Sequence, residues 1–180
     1  AANSGASSSS SLTECSTTDG VWKAIDVRDG SMAGKSGYDA QGYKYAATLR
    51  AEAKTLGAFL GYRIEDVGTN PNDPTQVAFN TTGGQSTGTG AAAVGTGDYY
   101  GSTWIINVDF KNGEPIAGQL KHLYDGDAVG NRQNGIRSQD NLAWSANGKI
   151  LVCEDRAVEA GVDNVDAAWG NQEGSIWSLD

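Results

Sequence analysis

Cysteine, histidine and long apolar runs are all scarce in this chain, and each shortage excludes something. Two cysteines, Cys15 and Cys153, cannot make the dense disulfide framework of a small secreted domain, and no CxxC or Cys/His spacing suggests zinc. They are compatible with one disulfide, with pairing to segments outside this sequence, or, for Cys153, with a small apolar strand residue. The single histidine, His122, lies in the strand-like run "QLKHLYDG", where a lone imidazole reads as structural. That argues against Ser-His-Asp catalysis and excludes a His-rich metal centre. No apolar stretch is long enough to span a bilayer. Basic residues are outnumbered 13 to 22 by acidic ones, for a formal net charge of -9, so nucleic acid is an unsuitable partner. A cation suits that balance, and so does plain solubility.

The first residues, "AANSGASSSSSLTECS", carry no charged start followed by an apolar core. The expectation is a processed end with any export signal already removed, and a flexible Ser/Thr-rich segment over residues 1–19. From residue 20 to 180 short strand signals dominate. "GVWKAIDV", "TQVAFNTT", "STWIINVDF", "QLKHLYDG", "NLAWSANGKILVCED" and "GSIWSLD" mix β-branched and aromatic residues with polar alternation, each bounded by turn residues. One helix is expected in "YKYAATLRAEAKTLGAF", where Ala46, Leu49, Ala53 and Leu56 recur at three- and four-residue steps and Gly57 stands ready as the residue after the cap. A Gly/Thr/Ala-rich stretch over about residues 83–98 reads as a long loop without the ending of a phosphate-binding P-loop.

Two units repeat one design: an aromatic strand, an Asn-Gly turn, then an apolar strand, at Asn112-Gly113 and Asn147-Gly148. Repeated antiparallel ribbons of this kind suggest propeller blades. The expected fold is therefore all-β, a partial β-propeller with one short helix inserted. Because a propeller protects its strand edges by closing its ring, the remainder is expected from a longer polypeptide or a neighbouring subunit, covering faces that carry Trp104, Trp144 and Trp177.

The second unit, "SQDNLAWSANGKILVCEDR", carries the chemistry. With Asn147-Gly148 as a two-residue turn, Asn141 falls opposite Glu154 and Asp140 opposite Asp155, and a longer loop slips this by about one position. Like charges opposed across a ribbon are destabilising, so a cation or a basic side chain such as Arg137 or Arg156 should compensate them. In "YRIEDV", Arg63 and Glu65 are two apart and share one side of an extended chain; a surface ion pair explains them as well as a site does. "YDGDAVGNRQNG" adds Asp125 and Asp127, but Val129 and Ile136 occupy positions where an EF-hand needs oxygen ligands.

Taken in order, the helix "ATLRAEAKTLGA", then "YRIEDV", "NPNDPTQVAFNTT", "YGSTWIINVDF", "SQDNLAWSANGKILVCED" and "GSIWSLD" resemble the PhoX-type alkaline phosphatase family of secreted bacterial β-propellers, from about residue 20 to 180. The resemblance implies an exported protein with a polynuclear calcium and iron centre that hydrolyses phosphate monoesters. It makes Arg63 the cation facing the phosphate and Glu65 both catalytic and a metal ligand; Asp140, Asn141, Glu154 and Asp155 complete the implied calcium ligands. Ile64 stands where the family usually has proline, and Arg156 where it has glycine. The earlier segment ending in Cys-Glu-Glu, which supplies the iron ligands, is missing, so iron is expected only with segments outside this sequence. A non-catalytic, calcium-stabilised propeller serving a surface, matrix or assembly role is the other reading.

Overall fold

The computed structural model describes residues 12–59, 61–83, 100–128, 135–155 and 174–180. It is all-β, with two antiparallel sheets and one α-helix. The first sheet is an up-and-down meander of β2 (Ile64–Asn70), β3 (Asp73–Thr81), β4 (Ser102–Lys111) and β5 (Glu114–Asp125), extended at its far edge by β1 (Thr17–Val21). The second contains β6 (Gln139–Trp144), β7 (Ile150–Glu154) and β8 (Ile176–Leu179), again in sequence order. Each meander has the form of a propeller blade.

Local chemistry accounts for the elements. Helix α1 (Ala46–Thr55) stops where expected: Gly57 takes φ +74, its amide donates to Lys54 O, and Ala58 N donates to Ala53 O, which closes a Schellman cap. The β4–β5 turn is the expected two-residue Asn-Gly type, with Asn112 at φ 53, Gly113 at φ 83 and Lys111 paired with Glu114.

The core lies between the sheets. Ala78, Ile136, Ile150 and Val152 are buried there, with Ile105, Leu142, Trp144 and Trp177 packed against them. Gly68 of β2 permits the close approach, since a β-carbon on it would stand 2.7 Å from Leu142 Cδ1 of β6. On the opposite face of the first sheet, Trp104 is fully buried between Phe79 and His122. Its ring lies 3.8 Å from the imidazole in a parallel stack, and Phe59 meets it edge-on at 5.2 Å. Trp104 is therefore not on an open blade face, as the sequence suggests; the residue 59 side chain already covers it.

Two expectations about boundaries change. Thr17–Asp19, assigned by composition to a flexible segment, belong to β1, because the outer edge of β5 offers a row of backbone groups to pair with: Thr17 faces Lys121, His122 N donates to Ser16 O and Cys15 N to His122 O. "GVWKAIDV" leaves the strand after Val21. Residues 1–11 and 84–98 of the proposed flexible segments lie outside the described residues. Cys15 and Cys153 are both free thiols.

Candidate functional site

The β6–β7 hairpin differs from its twin. Asn147 is not at positive φ; Gly148 is, at +88, and the loop has three residues, closed by Gly148 N donating to Ser145 O. The Ser145 hydroxyl donates to Lys149 O at 2.7 Å and accepts from Lys149 N at 3.1 Å, which secures the longer loop. The register consequently slips by one, so that Trp144 faces Ile150 and Leu142 faces Val152. Beyond Leu142 a bulge sets Asp140 and Asn141 together against Cys153, and Gln139 then faces Glu154. The expected pairs Asn141 with Glu154 and Asp140 with Asp155 are thereby corrected; Asp155 N instead donates to Ser138 O.

A second bulge lies on β2. Ile64 pairs with Thr81 and Val67 with Phe79, so Glu65 and Asp66 share the single partner Asn80. Arg63 precedes it at φ 55, held by Thr82 N donating to its carbonyl at 2.9 Å. Its Nε lies 3.5 Å from Glu65 Oε1, with both side chains close to half exposed. The two residues do meet, although Arg63 lies outside the extended strand.

The two bulges are fastened to each other. Asn80 Nδ2 donates to Asp140 O at 2.9 Å, and Asp66 Oδ2 accepts from Leu142 N at 2.9 Å while its Oδ1 accepts from Val67 N. Asn80 Oδ1 is engaged from behind by the buried Thr103 hydroxyl at 2.9 Å. Asn80 does not stand out as a site residue in the sequence, and Asp66 stands out only as the neighbour of Glu65 in "YRIEDV". The available signal is a polar Asn in the apolar strand "QVAFN", a residue that needs partners when buried.

Electrostatics separate the carboxylates. Asp140 is held above its ordinary value, first by burial and then by Asp155, Glu65 and Asp66, while Arg63 pulls the other way. Glu154 is differently employed: one oxygen accepts from Arg137 N at 3.1 Å and the other from Ser175 N at 3.2 Å, joining three segments of chain. Glu154 and Asp66 thus accept backbone amides, and Glu65 is paired with Arg63. Among the described residues no group of three or more His, Cys, Asp or Glu side chains is arranged to hold a metal ion. Asp140 thus feels negative charge from Asp155, Glu65 and Asp66 and positive charge from Arg63.

No family model matches the chain, and no curated protein matches it. Among solved structures, its fold is similar to that of Pseudomonas fluorescens PhoX in complex with vanadate, a transition state analogue, with a TM-score of 0.56 and 18% identity. The match covers 91% of this chain and 31% of that one, so this chain spans about a third of its length. A likeness at that identity concerns the fold, and the fold is that of a partial β-propeller.

Proposed function

We propose that this chain is part of an exported, metal-dependent phosphatase that hydrolyses phosphate monoesters. The observation that carries the reading is the pair of bulges, which gathers an arginine and several carboxylates from two adjacent sheets at one place. Bulges recur beside active sites because they re-aim side chains. Arg63 supplies a guanidinium that stays charged at alkaline pH and can hold a phosphoryl group through two parallel N–H bonds. Glu65 and Asp140, with Asn141 and Asp155, supply hard oxygen donors of the kind calcium takes, and Glu154 braces the second bulge. Bound cations would gather phosphoryl oxygens and acidify a water, and any iron site would need segments outside this sequence. That a protein of similar fold binds vanadate, a transition state analogue, supports this reading.

The test compares Arg63→Ala and Glu65→Gln with the parent, in the complete protein, on a generic phosphomonoester with calcium and iron supplied. Loss of activity on the order of 100-fold or more in both, with folding retained, is the expected result. The Arg63–Glu65 ion pair and the amide-capped Glu154 favour the alternative, a calcium-stabilised propeller without catalysis. An inactive parent under those conditions would select it.

A further inference from the structure

Two carboxylate-bearing bulges lie on separate sheets, and something must hold them in a fixed relation. Backbone pairing cannot do it, since β2 and β6 belong to different sheets. Among the described residues, three side chains reach across the gap: Asn72 Nδ2 to Ala146 O at 2.7 Å near the hairpin ends, Asp66 Oδ2 to Leu142 N, and Asn80 Nδ2 to Asp140 O. The last is the one made to the bulge residue itself. It comes from a side chain with no solvent exposure, and its amide also lies 3.5 Å from Asn141 O.

We infer that Asn80 and Thr103 form a two-residue clasp that positions Asp140 against Arg63 and Glu65, and so act as positioning residues for the proposed hydrolysis. The direction of the clasp follows from donor and acceptor roles. Thr103, fully buried, donates its hydroxyl proton to Asn80 Oδ1; this orients the amide with Nδ2 toward the second sheet, where the carbonyls of Asp140 and Asn141 accept. Asn80 is also the single residue opposite the Glu65–Asp66 bulge. One side chain thus sits at the first bulge and grips the second. Arg63 is outside the clasp, held by Thr82 on its own sheet. Loosening the clasp should therefore move the carboxylate of Asp140 relative to a phosphate site that stays in place.

The inference rests on the phosphatase reading, and the experiment separates the two. Thr103→Val keeps the shape of the side chain and removes only the hydroxyl, and Thr103→Ser restores it; Asn80→Ala is the harsher companion. In the complete protein, kcat on p-nitrophenyl phosphate should fall on the order of 10- to 100-fold in Thr103→Val, with KM within about twofold of the parent and Thr103→Ser close to it. Amide hydrogen exchange provides the readout independent of activity. The Leu142 amide should lose protection on the order of tenfold in Thr103→Val and Asn80→Ala, while the amides of Ile150 and Val152 keep theirs. Should the parent prove inactive, the phosphatase reading fails and the clasp is judged by exchange alone. Unchanged Leu142 protection, or a uniform loss across both sheets, overturns the clasp. So does a Thr103→Val protein with the parent's kcat.

Discussion

The two bulges use the same backbone device with opposite electrostatics. On β2 the acidic residues come with their own cation: Arg63 lies beside Glu65, and Asp66 is absorbed by amides. On β6, Asp140 has no cation on its own strand; Arg63 of the other sheet opposes only part of the negative charge from Asp155, Glu65 and Asp66. The comparison teaches that equal acidity in sequence does not mean equal capacity to bind. A carboxylate whose oxygens already accept N–H bonds is a structural fastener; one raised above its ordinary value by burial and like charges is poised for a cation or a proton.

The largest expected effect separates fastener from ion pair within the first bulge. Asp66→Ala strands the amides of Val67 and Leu142 and should cost about 1 to 3 kcal/mol in urea denaturation. Glu65→Ala, one residue away, removes a largely exposed pair and should cost under about 1 kcal/mol. Equal costs would erase the distinction.

Next comes the brace of the second bulge. Glu154→Gln keeps the shape but turns an NH₂ toward one of the two amides, and a loss of roughly 1 to 2 kcal/mol is expected by the same denaturation assay. An unaffected midpoint would show that Arg137 N and Ser175 N do not depend on this carboxylate.

The smallest effect has the opposite sign. Because the folded state raises Asp140's affinity for a proton, the folded protein binds more protons than the unfolded chain between the ordinary carboxylate value and the raised one. Stability from this group is present below that window and is lost as pH rises through it. At neutral pH, Asp140→Asn should therefore stabilise the cation-free protein by roughly a few tenths of a kcal/mol. Added calcium should reverse the order, since it stabilises the parent by mass action. A variant no more stable than the parent without cation would place Asp140 in the same class as Asp66.

Much of the fold was readable from local signals. Gly57 ends its helix and Asn112-Gly113 makes its turn because both depend on positive φ within a few residues. Asn147-Gly148 carries the same dipeptide and makes a different loop, since the Ser145 hydroxyl supplies hydrogen bonds that Lys111 cannot. One added loop residue was enough to change every cross-strand pair in the candidate site. Arg63 and Glu65 do meet, but through a left-handed residue and a bulge rather than through the two-residue strand period. The bulges could not be read locally, because the count of two residues against one is decided by the partner strand. The links made by Asp66 and Asn80 were hidden for a similar reason: their partners lie 76 and 60 residues away in sequence.

Strand β1 has a consequence for how the chain is made. It precedes the meander in sequence but pairs with its last strand, Thr17 opposite Lys121. During synthesis at about 5 to 20 residues per second, β1 would wait on the order of ten seconds for its template to emerge. A strand that must wait is exposed to wrong partners. Thr17, Thr18 and Asp19 give this one a polar, partly charged edge, the composition that discourages premature pairing. The Ser/Thr-rich character that reads as flexibility in the sequence thus suits a strand that docks last.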